Sequence, residues 1–253
     1  MGLRTILNLC WGGSYESALT LKIQMLLYAI TSRVLLPGDE AEKRRRLVEL
    51  AAEWARGGVQ YIQVREKDLP LTELQALASR MVEAVRATGT PTRVLVNGPA
   101  QVAIDAGADG AHLHAIPAAR PVGDPAPAGL GATAVRAARQ VYARAGREAI
   151  VSAACHSAEE IQQAAGADLL LFSPIFEKVA AERTLRGQGL AALRAAVDRA
   201  RPVPVFALGG VTEKNATACV QAGAAGVAAI RLFLGDAWRS MVAAEPDSAR
   251  ASG

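Results

Sequence analysis

A four-residue junction recurs three times in the chain: Ala106-Gly107-Ala108-Asp109, Ala165-Gly166-Ala167-Asp168 and Ala222-Gly223-Ala224-Ala225. Each closes an amphipathic stretch and leads into a short apolar run. Glycine there lets a helix stop at positive φ before the chain turns into a sheet. A repeated helix-to-strand joint means a repeated βα unit, and such units build parallel sheets covered by helices. The apolar runs predict eight strands, over 26–31, 58–65, 93–96, 110–114, 149–154, 168–172, 203–208 and 226–232. Helices are expected from about 39 to 56 with Asp39 as N-cap, over 71–87, 99–106 and 133–145, after His156 or Ser157, and near 236–243. Eight units without a domain-sized linker point to one (β/α)8 TIM barrel; an open doubly wound sheet is the alternative that the same alternation allows.

The chain has 253 residues, and 51% of them are apolar, enough for one full barrel core. Residues 25–244 are read as the barrel. Residues 1–24 lack a clear period and a cleavage site, and read as an extension or a mis-called start. Residues 245–253 read as a flexible tail, and the Pro/Ala/Gly-rich stretch 116–128 as a mobile loop. The net charge of +4 is spread over helices. Even the run Lys43-Arg44-Arg45-Arg46 follows acids in a helix, so it reads as a solvated face rather than a nucleic-acid site. No apolar run reaches the length of a membrane span. Three distant cysteines without a CxxC pair fit a reduced, cytoplasmic protein. Oligomeric state is left open, with a homo-oligomer among the readings.

Active sites of barrels lie at the C-terminal strand ends. There the second strand ends in Gln63-Val64-Arg65-Glu66-Lys67. Side chains alternate along a strand, so Gln63, Arg65 and Lys67 share a face, with Ile62 and Val64 on the other. Two cations and an amide at the mouth suit a phosphate or diphosphate. Gly209-Gly210 follows the seventh strand, and Ile230-Arg231 closes the eighth; loops in these positions commonly hold phosphate, because glycine lets backbone N–H groups approach an anion. Arg231 either adds charge there or faces a helix. Asn97 ends the third strand and is a candidate to bond a substrate ring. His112 and His114 share a face without a third ligand nearby, so neither is assigned a metal. His114, nearer the strand end, is the acid–base candidate, and Lys178 is a second catalytic candidate reaching the mouth from a loop.

Taken in order, YAIT, YIQVREKDL, VLVNG, GADGAHL, CHSAEEI, LLFSPIF, VFALGGVTEKN and AGAAGVAAI, spread over 26–232, resemble the blocks of the thiamine phosphate synthase/TenI family. The resemblance implies a Mg²⁺-aided transferase of thiamine biosynthesis. A pyrimidine-methyl diphosphate loses pyrophosphate, and a thiazole phosphate captures the pyrimidine cation. By this resemblance Gln63, Arg65 and Lys67 hold the diphosphate, Asn97 matches the family asparagine, and Gly209, Gly210 and the backbone near Ile230 take the thiazole phosphate. The chain departs from the family at three places. Gly98 stands where a Mg²⁺-binding Asp follows the asparagine. No acid follows His112-Leu113-His114 before Asp124. Only Glu177-Lys178 remains of a threonine-rich loop ending in Lys. Two other readings follow from these departures: a TenI-like thiazole tautomerase, whose catalytic His is Pro174 here, and a non-catalytic phosphate-binding barrel.

Overall fold

The computed structural model describes residues 25–114, 131–180 and 183–242. The N-terminal 24 residues, the expected mouth loop with Asp124, and the C-terminal tail therefore lie outside the described residues. Eight parallel strands close into a barrel: β1 (Leu26–Ile30), β2 (Tyr61–Val64), β3 (Arg93–Asn97), β4 (Gly110–Leu113), β5 (Ile150–Cys155), β6 (Leu169–Phe172), β9 (Val205–Leu208) and β10 (Gly226–Ala229). Around the ring the order is β1-β10-β9-β6-β5-β4-β3-β2. The helices α1 (Glu40–Arg56), α2 (Leu71–Arg86), α3 (Ala100–Asp105), α4 (Ala132–Arg144), α5 (Ala158–Gln163), α6 (Gly189–Ala200) and α7 (Glu213–Gln221) cover its outside.

Strand alternation divides the apolar residues into two cores. Tyr28, Ile30, Tyr61, Leu95, Leu169, Leu171 and Phe206 fill the barrel interior. Their neighbours one residue away, such as Ile62, Val64, Val94 and Val96, pack under the helices. Inside, the rings of Tyr28, Tyr61 and Phe206 stand 5.6–5.7 Å apart between centroids and plug the barrel. Each buried ring of this size stabilises by ~1.5–3 kcal/mol.

The recurring junction works as the sequence predicts. Gly107, Gly166 and Gly223 carry φ of 75°, 90° and 100°. The two aspartates add a second function. Asp109 Oδ2 accepts the Val94 N–H at 2.8 Å, and Asp168 Oδ2 accepts the Val151 N–H at 2.7 Å, so each carboxylate satisfies the open start of a neighbouring strand. Asp39 caps α1 in a reciprocal capping box with Glu42. The basic run on α1 faces acids: Arg45 pairs with Glu49, Arg46 with Glu53 and Arg44 with Glu73 on α2.

The expectations for the end of the chain and for Lys178 require correction. The eighth barrel strand stops at Ala229 instead of Leu232; Ile230 leaves the extended region (φ −101°, ψ −68°), and a 3-10 turn, Arg231–Leu234, follows. That turn seats Phe233 against Trp54, whose indole Nε1 donates to the Phe233 carbonyl at 2.9 Å. The last expected helix is likewise a 3-10 segment, Ala237–Met241, because Trp238 closes onto the same cluster. Secondly, Lys178 is not in a loop. It begins β7 (Lys178–Ala180), which pairs antiparallel with β8 (Arg183–Leu185) in a hairpin over the C-terminal end. No helix among the described residues is long and apolar enough to cross a membrane.

Candidate active site

The C-terminal mouth gathers its polar groups by strand register. Gln63 pairs with Ile30 on one side and Leu95 on the other. Two residues further on come Arg65 and Asn97, and Asn97 pairs with His112, which pairs with Ser152. Gln63 points inward and is 1% exposed, and its Nε2 has no hydrogen-bond partner among the described residues. A buried amide without a partner costs ~1–3 kcal/mol, a cost that a bound acceptor would remove.

Beneath the mouth lies a polar chain inside the apolar barrel. His112 Nδ1 and Ser152 Oγ are 2.8 Å apart, and Ser152 Oγ and the Tyr28 hydroxyl 3.2 Å. Burial first, and then the neighbouring His114, Arg65 and Lys67, pull the His112 imidazole down to about 3. His112 is therefore neutral, and His114, Arg65 and Lys67 are grouped around it. Burial also draws the Arg65 guanidinium below its usual value, an effect that Glu66 opposes. Gln63, inward in β2, and Arg65 and Lys67, just past the strand end, thus lie near His112 at this end, with Ile62 and Val64 packed outside. His114 and Asn97 are half-buried at the same end.

Three strands round the ring, a cavity of about 400 Å³ opens beside Gly209-Gly210, with Ile230, Arg231, Thr212 and Glu177 in its wall. Gly209 and Gly210 adopt φ of 95° and 68°. A Cβ on Gly209 would meet Pro174 at 2.8 Å, and one on Gly210 would meet the Glu177 carbonyl at 2.6 Å, so the turn slides under the 174–177 segment as no other residue could. Thr212 caps α7 reciprocally with Asn215, whose Nδ2 donates to the Gly210 carbonyl at 3.0 Å. The positive end of that helix faces the cavity side and favours an anion. Arg231, which the sequence leaves between two roles, lines the cavity and is exposed. Lys178 is placed only by its backbone, at the start of the hairpin.

A second cavity, also about 400 Å³, opens at the opposite barrel end beside Tyr61, Arg139, Arg147 and Asp168. Its arginines are occupied in holding structure. Arg139 donates to the Gly166 carbonyl and Asp168, and Arg147 to the Ala108 carbonyl. That end of a barrel carries stability rather than chemistry.

Two features escape the sequence reading. One is the Tyr28–Ser152–His112 chain, detectable in principle because Ser152 shares the inward parity of Ile150. The other is buried Arg33, just after β1, which carries no strand or motif signal.

Mg²⁺ takes oxygen donors, chiefly carboxylates. Apart from Glu177 beside the Gly209-Gly210 turn, the described groups at this mouth are amides, imidazoles and cations; Gly98 has no side chain, and Glu66 and Asp68 are held by Arg33. No cluster of three or more His, Cys, Asp or Glu suited to a metal occurs among the described residues. These residues do not fit Mg²⁺.

A closed parallel barrel with a cationic strand end and a glycine turn across its mouth is the arrangement expected of a phosphate-handling (β/α)8 enzyme. Residues 27–233 match the thiamine monophosphate synthase family, and the chain belongs to that family. It is 33% identical over 210 residues to the thiamine-phosphate synthase of Methanoculleus marisnigri, covering 83% of this chain and 88% of that one. It is 31% identical over 212 residues to the thiamine-phosphate synthase of Roseiflexus castenholzii, covering 83% and 81%. Among solved structures, the thiamine phosphate pyrophosphorylase of Pyrococcus furiosus superposes with a TM-score of 0.63 at 27% identity, over 86% of this chain and 92% of that one. These relatives favour the synthase reading over the tautomerase and the non-catalytic barrel.

Proposed function

We propose that this chain joins a pyrimidine-methyl diphosphate to a thiazole phosphate, releasing pyrophosphate. The bond from the methylene carbon to the diphosphate oxygen breaks, and pyrophosphate leaves with the electron pair. The thiazole nitrogen lone pair then forms the new C–N bond. The observation that carries this reading is the buried Gln63 amide nitrogen, without a partner among the described residues, two positions before Arg65 at the barrel mouth. An amide there suits a ring nitrogen, while Arg65 and Lys67 suit the charge that grows on the departing diphosphate. The Gly209-Gly210 turn and the α7 N-terminus suit the second phosphate. Neutral His112 borders the ring site without adding a further positive charge near the developing cation. His114 and Asn97 are the remaining polar contacts offered at this end. The family reaction uses Mg²⁺; because the described donors do not fit that ion, every role assigned here belongs to side chains of the chain.

The experiment is direct. Purified protein is incubated with both substrates, with and without Mg²⁺, and thiamine phosphate is followed. Formation that drops on the order of 10²-fold in Arg65→Ala supports the reading. Absence of product, with conversion of a thiazole carboxylate tautomer instead, would replace it.

A further inference from the structure

The stretch Arg65-Glu66-Lys67-Asp68 alternates cations with acids. Two carboxylates beside an anion site oppose its purpose, unless something holds them. Arg33 does so. Its side chain is 6% exposed, and Glu66 is 2% exposed. Arg33 Nη1 and Nη2 donate to the two oxygens of Asp68 at 2.7 and 2.6 Å. Nη1 also reaches Glu66 Oε2 at 3.3 Å, and Nε donates to Glu40 Oε2 at 2.8 Å. The Arg33 backbone N–H adds a bond to Glu66 Oε2 at 3.0 Å. One residue pair away, the Arg65 N–H donates to Thr31 Oγ1 at 2.8 Å, and the Thr31 N–H to the Gln63 carbonyl at 3.0 Å. The segment after β1 is thus fastened to the end of β2 and the segment after it at Gln63, Arg65, Glu66 and Asp68.

Resting on the function proposed above, we infer that Arg33 is a positioning residue for the diphosphate site: it draws Glu66 and Asp68 onto itself and so fixes the backbone that aims Arg65 and Lys67 at the mouth. The guanidinium is needed for its shape. A planar fork can meet Asp68 with two parallel bonds while a third edge meets Glu40; a lysine ammonium of the same charge cannot. Arg33 touches no substrate in this scheme. Its effect travels through two carboxylates to two cations, and a displacement of about 1 Å at such a site costs on the order of 10²-fold.

The test uses the full chain, inorganic pyrophosphate as the probe, and two variants, Arg33→Lys and Asp68→Asn. Asp68 is 59% exposed in its side chain, so its variant keeps the fold even if Arg33→Lys does not. Binding is measured by calorimetry, and KM is measured separately for each substrate. The sign of the effect discriminates between explanations. Removing an acid next to an anion site should strengthen pyrophosphate binding by plain Coulomb attraction, whereas loss of the clamp should weaken it. The expected result is weakening of about 10-fold or more in each folded variant. KM should rise for the diphosphate substrate and stay unchanged for the thiazole phosphate. Affinity that is unchanged or tighter in Asp68→Asn overturns the clamp, and so does an equal rise in both KM values. Wild-type protein that binds no pyrophosphate overturns instead the functional reading beneath it.

Discussion

Replacing His112 by glutamine should flatten the acid side of the stability profile. In the folded chain the imidazole is enclosed, and burial first, then the charge of His114, Arg65 and Lys67, lowers it from 6.5 to about 3. The unfolded chain takes up that proton near 6.5, the folded chain only near 3. Between those values the unfolded state holds one more proton, so stability falls as pH falls, by about 1.4 kcal/mol per unit. The contribution is complete above 6.5 and lost by about 3. From about pH 6.5 to about pH 5 the loss should reach ~2 kcal/mol. The carboxylates held low by partners, Glu40, Asp68 and Glu159, have ordinary values of 4.5, 3.8 and 4.5, so their own losses fall below this window. Urea unfolding of both proteins at about pH 7 and about pH 5 measures the difference. Wild type should lose ~2 kcal/mol, and His112→Gln, starting from a lower plateau because Ser152 loses the closer of its two partners, under ~0.5 kcal/mol. Equal losses in the two proteins, or a His112 imidazole proton signal, assigned by its loss in His112→Gln, that titrates near 6.5 in the folded wild type, would refute the enclosure argument.

Gly110→Ala should lose about 3 kcal/mol or more, or yield insoluble protein, because its Cβ would lie 1.8 Å from the Ile150 carbonyl oxygen on the next strand; the urea midpoint reports it. Asp168→Ala strands the Val151 N–H and releases Arg139, and should cost about 1–3 kcal/mol in the same assay with little change in substrate KM at the far end of the barrel. Trp54→Phe keeps a ring but deletes the bond to the Phe233 carbonyl, and should lower the thermal midpoint through a loss of about 1–3 kcal/mol.

The barrel itself was legible because its signals are local. A glycine that must reach positive φ, an apolar run of strand length and a capping aspartate each act within a few residues, so Gly107, Gly166, Gly223 and Asp39 announce themselves in the chain. The inward side of Gln63 was legible for a related reason, since strand alternation has a fixed period; Arg65 and Lys67 lie past the end of β2 at Val64, where that period no longer fixes a direction. Where the strand ends was not legible at residue 230, since the turn there is imposed by Phe233 seeking Trp54, 179 positions earlier. Lys178 read as a loop residue because a three-residue hairpin strand is too short to show a period.

The sequence alone therefore determined the repeated βα units, which face each strand residue takes, and the family blocks along them. Only the tertiary structure decided which of those inward groups are charged, paired or alone. His112 is neutral first because the folded barrel buries it away from water and second because His114, just past its own strand, and Arg65 and Lys67, just past β2, lie close to it, and Arg33 holds Glu66 and Asp68 because two loops, 33 and 35 residues apart in the chain, close on one another. Electrostatic energy depends on distance and on exclusion of water, and neither quantity exists until the chain has folded.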